Sequence, residues 1–516
     1  MQAEVIGNLY AVDSGDATRA ALHAIFPRVI ERKGFTFLPF ALESAILLRN
    51  AGFDVESPIA DQYTWPGIYK PMAHQIATAS FLTMNRRAFC LNDMGTGKTL
   101  ASYWAADYLM RLGAVRRALI VAPLSTLKVV HANTILANFM GPNRRTCVIL
   151  HGTSAKRREL LKQDYDFYII NFDGISAVKD LLATRDDIDL VVIDELGKCR
   201  NATTQRWKFL RAVLRPEQRV WGLTGMPIPN GPTDAWAQVK MIRPESLMPH
   251  YPSFRSFKFA TLEQVSMYKW IPKPTALDTV ARIFQPSIRY SRDECLDLPE
   301  CTIQTREVEM TPRQKTAYRE LTKTLKTTIN GGQVNAAMES ALRTKLLQVS
   351  AGVVYDSRGQ HQWIDCEPRL SVTKELIEEQ SSKVIIFAPF KGNVAFLLDA
   401  LKEYGVTSVT GDTSFTTRNA IFEQFQRNGG PKVLVAHPVC MSHGLTLTEA
   451  STIIWFAPYD DNEVYEQANA RIHRQGQTNL TTVIHLCASA IEREVYKRNQ
   501  SKQGMQGILL DLLETT

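Results

Sequence analysis

Short apolar runs of strand type recur along this chain, and their spacing limits its possible folds more than any other feature. In the first half they are AFCL (88–91), ALIVA (118–122), CVIL (147–150), YIIN (168–171), LVVID (190–194) and VWGLT (220–224). In the second half they are KVIIFA (383–388), KVLVA (432–436), STIIWF (451–456) and TVIHL (482–486). A strand with one wet face alternates apolar and polar residues. These runs do not alternate, so each is expected to be a strand buried on both faces. Stretches of helical period separate them. The alternation predicts two parallel-sheet α/β domains, although no short internal repeat relates the halves.

A chain of 516 residues is too long for one ordinary hydrophobic core, and at about 150 residues per domain roughly three domains are expected. Residues 1–66 form a candidate accessory domain. IGNLYAV is read as a strand, ATRAALHAIFPRVIER as a helix, FTFLPF as a strand and ALESAILLRNAG as a helix, closed by a turn at Pro66-Gly67. Residues 67–245 make the first lobe and 377–516 the second, which ends in a helix. Residues 246–376 between them are mostly helical in pattern, notably PRQKTAYRELTKTLKTTI and VNAAMESALRTKLLQVSAG. The formal charge of +8 is compatible with a nucleic-acid partner without demonstrating one. None of the eight cysteines has zinc-knuckle spacing, and they read as reduced thiols. The first residues lack the basic-then-apolar order of a signal peptide, and no apolar run nears the roughly 20 residues needed to cross a bilayer. A soluble, cytoplasmic protein is expected.

The strongest local signal is LNDMGTGKTL (91–100), which follows a buried strand and opens a helix. Gly95 and Gly97 let backbone N–H groups approach phosphate oxygens, within a loop that also holds Met94 and Thr96. Lys98 can reach the β- and γ-phosphates of a nucleotide, and the Thr99 hydroxyl can ligate Mg²⁺. Asn92 stands where the strict phosphate-loop pattern has glycine. A second signal, LVVIDELG (190–197), ends a strand in two carboxylates. Asp194 can hold the metal and Glu195 can activate water, at the sheet edge where ligands bind in such folds. Alone, this pair also fits a solvated turn. LTGMPIPN (223–230) brings Thr224 and Gly225 to another strand end, as a turn that carries a hydroxyl towards the phosphates or as a structural loop. In EQANARIHRQGQ (466–477), Arg471 and Arg474 are expected on one helical face, with Gln467 one turn earlier.

The order of Gln75, the Gly95–Thr99 loop, Asp194-Glu195, LTGMPIPN and QANARIHRQGQ resembles the superfamily 2 helicase-like ATPases, and among them the SWI/SNF-type DNA translocases. NDMGTGKT is similar to that family's DEMGLGKT. VAPLSTLK (121–128), YSRDECLDLPE, VIIFAPF and GLTLTEASTIIWF extend the likeness from about Tyr69 to about residue 498. The resemblance implies two RecA-like lobes. It makes Gln75 the adenine reader, Arg474 the arginine finger and Arg471 its phosphate-sensing neighbour. Gly444 joins Thr224 and Gly225 among the coupling residues, and Ser125, Thr126, Lys128, Thr446 and Trp455 fall where the family tracks DNA. The chain departs from the family in three places. Gly197 makes the acidic tetrad DELG, Thr446 replaces the usual asparagine, and WFAPYDDN replaces Trp-Asn-Pro. No chromatin-reading appendage is expected, and the compactness is more like short bacterial or phage members.

The function that the resemblance implies is an ATP- and Mg²⁺-dependent motor on double-stranded DNA, forked or branched DNA included, in a bacterial or phage-infected cell, with no membrane partner. Two other readings stay open. One is a strand-separating helicase, although no wedge is visible in the sequence. The other is a nucleotide-switched DNA-binding scaffold with weak ATPase activity.

Overall fold

The computed structural model describes residues 3–13, 16–25, 29–32, 34–139, 145–266, 270–330, 336–356, 358–441 and 447–514. The chain divides into two compact units, Met1–Cys295 with Ile508–Thr516, and Leu296–Gly507.

In the first unit, β1 (Ala3–Ile6), β2 (Leu9–Asp13), β3 (Ile30–Arg32) and β4 (Phe35–Pro39) form an antiparallel sheet in the order β1-β2-β4-β3. IGNLYAV is therefore two strands joined by a two-residue turn, in which Gly7 supplies a φ of +61°. The helix expected over ATRAALHAIFPRVIER covers only Asp16–Ile25. Ile30–Arg32, at the far end of that stretch, pairs with β4 instead. This small sheet shares its core with the first parallel sheet. Tyr10, Val12, Leu38, Leu48, Phe53 and Tyr63 are buried in one cluster with Leu82, Trp104, Ile120 and Trp221.

The strands β5 (Arg87–Cys90), β6 (Arg117–Ala122), β7 (Cys147–Ile149), β8 (Phe167–Asn171), β9 (Ile188–Asp194) and β10 (Arg219–Leu223) occupy the six apolar runs of the first half. After a two-stranded hairpin, β11 (Leu262–Gln264) with β12 (Trp270–Pro272), the short β13 (Ser287–Ile288) completes a seven-stranded sheet in the order β13-β5-β10-β9-β6-β8-β7. Every pairing in it is parallel.

The second unit contains β14 (Cys301–Glu307), a hairpin of β15 (Val353–Tyr355) and β16 (His361–Trp363), then β17 (Lys383–Phe387), β18 (Val406–Val409), β19 (Val433–Ala436), β20 (Ala450–Trp455) and β21 (Thr481–Cys487). Six of them form a parallel sheet in the order β14-β21-β20-β17-β19-β18. Its two faces carry separate apolar clusters, one around Phe387, Phe425 and Trp455 and the other around Leu376, Ile386 and Leu486. The fold is α/β, with two RecA-like lobes and a small N-terminal antiparallel sheet.

The stretch 246–376 holds the helices Pro312–Asn330 and Ala336–Ser350, as its pattern predicts. It also supplies β13 and β14, one edge strand to each parallel sheet. β14, with the sequence CTIQTRE, is mostly exposed, so it lacks the apolar signature that marks the central strands. Among the described residues, no helix is long and apolar enough to cross a membrane.

Candidate active site

The loop after β5 is built for an anion. Gly95 and Gly97 have φ of +91° and +79°, and Gly97 caps the helix Lys98–Arg111, whose first N–H groups face the loop. A side chain on Gly97 would strike Gln75 Nε2 at 2.1 Å. The loop is tethered from below. His74 Nε2 lies 2.8 Å from the Thr96 carbonyl, to which Gln75 Nε2 also donates at 3.2 Å. Gln75 Oε1 accepts from Met72 N at 3.1 Å, so both ends of the proposed adenine-reading amide already hold backbone. Asn92, the departure from the strict phosphate-loop pattern, is buried and donates from Nδ2 to Thr78 Oγ1 at 2.8 Å, which pins the loop to the helix Ala73–Met84. Asp93 is held by Arg289 Nη2 at 3.0 Å and by Arg292 N at 3.0 Å. Sequence reasoning missed this clamp, because the partners are separated by about 200 residues.

The two strand-end carboxylates lie beside this loop. Thr99 Oγ1 donates to Asp194 Oδ2 at 3.1 Å, and Asp194 Oδ1 accepts from Glu195 N at 3.1 Å. Burial pushes the Asp194 carboxyl up, but contacts with His131, Lys98 and Thr99 outweigh it and hold it below the ordinary carboxylate range. Asp194 is therefore ionised at neutral pH. A hydroxyl and a carboxylate oxygen in contact are hard oxygen donors, the set that suits Mg²⁺ alongside substrate phosphates. His131 and Tyr103, which stand behind Asp194, carry no motif signal and were not foreseen. Glu195 has a φ of +60°, the one positive value for a non-glycine among the described residues.

The turn after β10 packs on the phosphate loop. A Cβ on Gly225 would lie 3.1 Å from both Met94 N and Met94 Cγ. Thr224 is buried and its Oγ1 accepts from Met226 N at 3.1 Å, so the hydroxyl stabilises its own turn. Gly197 faces this turn, at 3.7 Å from Thr224 Oγ1 and 3.6 Å from Met226 O for an added Cβ, which is ordinary contact.

In the second unit, the expectation that Arg471 and Arg474 share a helical face is corrected, because the helix Asn462–Asn469 ends before them. Both lie in the turn that follows. Arg471 Nε donates to Gln467 O at 3.1 Å and Arg474 Nε to Ala470 O at 2.9 Å, each closing off a carbonyl at the helix end. Arg471 is buried, Arg474 is half-buried, and the buried Gln467 donates to Glu463 Oε1 at 3.2 Å. Gln477 Nε2 donates to the carbonyls of Thr448, Ala450 and Ile472, which ties the turn to β20.

Among the residues expected to track DNA, Lys128 is exposed, Ser125 is half-buried, and Thr126 is buried with its hydroxyl donating to Pro123 O at 2.9 Å. Trp455 is a core residue, which corrects its expected place at a DNA surface. It is fully buried between Phe387 and Tyr465, and its Nε1 donates to Asn469 Oδ1 at 2.9 Å. Gly444 and Thr446 lie outside the described residues.

This combination of two parallel lobes with a phosphate loop and paired carboxylates on one sheet edge defines the class of helicase-like ATPases. Residues 74–352 match the SNF2-related domain and residues 368–476 the helicase conserved C-terminal domain. The chain belongs to the SNF2-related family and is an ATP-hydrolysing enzyme of SWI/SNF type. It is similar to protein p41 of Acyrthosiphon pisum secondary endosymbiont phage 1, with 23% identity over 86% of this chain and 99% of that protein. It is also similar to the SWI/SNF-related matrix-associated actin-dependent regulator of chromatin subfamily A-like protein 1 of Xenopus laevis, at 24% identity over 78% of this chain. The chain spans only 40% of that Xenopus relative's length. Among solved structures, the Sulfolobus solfataricus SWI2/SNF2 ATPase core in complex with dsDNA is 21% identical, with a TM-score of 0.42, covering 86% of this chain and 96% of that chain.

Proposed function

We propose that this protein is a DNA-dependent ATPase that translocates on double-stranded DNA and remodels DNA or protein–DNA complexes. The observation that carries this reading is the 3.1 Å approach of Thr99 Oγ1 to Asp194 Oδ2 beneath a glycine-shaped loop, in a chain that matches the SNF2-related domain followed by the helicase conserved C-terminal domain. Met94 to Thr99 cradle the phosphates through backbone N–H groups, Lys98 balances their charge, and Gln75 reads the adenine. Thr99 and Asp194 hold Mg²⁺, which when bound neutralises charge on the β- and γ-phosphates. Glu195 orients the attacking water, and Arg471 and Arg474 stabilise the charge that builds on the transferring phosphoryl group. Ser125 and Lys128 meet the DNA backbone, which sets position without reading sequence, and the buried Thr126 shapes the turn that carries them.

The test is ATP turnover at a stated salt concentration with duplex, single-stranded, forked and RNA substrates. Duplex DNA of any sequence is expected to stimulate most, with the stimulation falling as salt rises because backbone contacts release counterions. Stronger stimulation by RNA or single strands would overturn the substrate assignment.

A second reading, strand separation at a branch, is favoured by one observation. The β11–β12 hairpin carries exposed Val265 and Ile271, and beside it the exposed Phe259 packs on Trp270, with Lys258 Nζ 3.8 Å from the Trp270 ring centroid. Exposed rings beside cations suit unstacked bases. Strand displacement on a fork, compared with triplex displacement on duplex, distinguishes the two readings.

A further inference from the structure

Asp194 has a neighbour that the reaction as described does not use. His131 is 1% exposed, and its Nε2 lies 3.2 Å from Asp194 Oδ2, the oxygen that also receives the Thr99 hydroxyl. Its Nδ1 is 2.8 Å from Tyr103 OH. Tyr103 is 1% exposed and burial pushes its phenol well above its usual range, so it stays protonated and can donate to Nδ1. A phenol that donates to Nδ1 leaves the ring proton on Nε2, facing the carboxylate. Among the described residues Nε2 has no partner of good hydrogen-bonding angle. It is a buried donor whose nearest acceptor is one small rotation of the carboxylate away, and an unmet buried donor favours that rotation.

The backbone around His131 is also unusual. Residues Leu127–Ala132 form a π-helical turn, a geometry that recurs at functional sites and is rarely kept without a reason. The same turn carries the exposed Lys128, directly after Ser125 and Thr126. One short piece of chain therefore has a surface end, assigned above to DNA, and a buried end in contact with the metal-binding carboxylate.

We propose that His131 is a positioning residue that orients Asp194 for Mg²⁺, and that through it the 124–132 segment sets how well the metal site is formed. Groups that hold a metal ligand from behind typically change metal affinity by about 10–100-fold when removed. The inference rests on the reading of Asp194 as the Mg²⁺-holding carboxylate. His131 touches neither nucleotide nor metal, and it acts by fixing the angle of Oδ2 when the Thr99 hydroxyl turns from Asp194 to the ion.

The experiment follows binding of a fluorescent ADP analogue to the full chain as Mg²⁺ is titrated, for wild type, His131→Ala, His131→Gln and Tyr103→Phe, with and without duplex DNA. In His131→Ala the Mg²⁺ concentration at half-maximal binding rises by about 10–100-fold, while nucleotide binding in EDTA stays at its wild-type value; the melting midpoint falls with loss of a buried ring, equally in EDTA and in Mg²⁺. His131→Gln keeps an N–H near Oδ2 and recovers most of the loss. Tyr103→Phe frees the ring and gives an intermediate shift. Duplex DNA lowers the Mg²⁺ requirement of wild type and has less effect on His131→Ala. An unshifted Mg²⁺ dependence in both His131→Ala and Tyr103→Phe overturns the proposal, as does a loss of nucleotide binding in EDTA of the same size as that in Mg²⁺. An equal effect of DNA on wild type and His131→Ala overturns the link to the surface segment. A wild type whose nucleotide binding ignores Mg²⁺ contradicts the metal site itself, which is a different failure.

Discussion

Glu195 is held in the left-handed region at φ +60°, directly after Asp194, the carboxylate proposed to hold the metal, and strained backbone of this kind clusters at functional sites. A side chain there costs roughly 1–2 kcal/mol, which glycine avoids at the expense of about 0.5–1 kcal/mol of extra freedom in the unfolded chain. Glu195→Gly is therefore expected to stabilise the first lobe by about 0.5–1 kcal/mol while abolishing turnover, read by urea denaturation beside an ATPase assay. Loss of stability would mean that the Glu195 side chain contributes more to packing than its backbone costs. His485 carries the opposite kind of burden. Burial beneath Tyr496, whose ring stacks on it at 4.0 Å, lowers its pKa to about 3. The unfolded chain, with a histidine pKa of about 6.5, then binds the proton more readily than the folded one below that pH. Stability is thus complete above about pH 6.5 and is lost as pH falls towards 3, at up to about 1.4 kcal/mol per pH unit. Denaturation at pH 7 and 5.5 should show about 1 kcal/mol of loss that His485→Gln lacks.

At the scale of elements, the arginine-bearing segment after the helix Asn462–Asn469 owes its shape to side-chain bonds, since it has no regular backbone ladder. Gln477 is central to it. Its Nε2 serves three carbonyls and its Oε1 accepts from Thr478 N and Asn479 N at 3.0 Å each. Gln477→Ala leaves buried carbonyls and amides unmet, at about 1–3 kcal/mol for the first such group and less where water enters. The expected outcome is a second lobe destabilised by about 2–3 kcal/mol together with a sharp fall in turnover, because Arg471 and Arg474 lose their seat. Gln477→Glu, which keeps the acceptor and loses the donors, should fall in stability nearly as far. A variant with wild-type melting would show that the turn is held by its backbone alone.

For the whole molecule, the N-terminal sheet and the first parallel sheet stand or fall together. Besides the shared core, Tyr63 OH donates to Asp107 Oδ2 at 2.6 Å, Arg49 Nη2 to Met84 O at 2.8 Å and Trp104 Nε1 to Pro66 O at 3.1 Å. A chain that starts at residue 67 would expose Leu82 and Trp104 and leave Asp107 without one of its donors. Such a truncation is expected to melt well below the full chain or to aggregate, read by thermal denaturation and light scattering. An unchanged melting temperature would make residues 1–66 a separable appendage. The two lobes divide the chemistry differently. Arg474 is separated from Lys98 by 376 residues and belongs to the other sheet's unit. Arg474→Ala is therefore expected to leave ATP affinity within a few-fold of wild type and to lower DNA-stimulated turnover by about 10³-fold or more. Near-normal turnover would remove Arg474 from the mechanism.

Much of the architecture was legible in the residues because a strand covered on both faces must be apolar throughout. All ten apolar runs are strands of two parallel sheets, and the loop 91–98 sits between strand and helix as its spacing demands. The strands that escaped notice are those without that pressure. β13 is two residues long, β14 is mostly exposed, and β18 reads VTSV, so an edge position leaves hardly any trace in composition. The site divides along the same line. Lys98, Thr99, Asp194 and Glu195 are marked by local spacing, since phosphate and metal chemistry restricts residue type within a few positions. Contacts across the chain carry no such mark. The clamp of Arg289 on Asp93, the tether of Gln75 to Thr96 and the approach of His131 to Asp194 exist because parallel crossovers bring distant segments to one sheet edge. Burial is likewise a property of the assembled core, which is why Trp455, placed among the DNA-tracking residues by the family resemblance, stands with its indole closed between Phe387 and Tyr465.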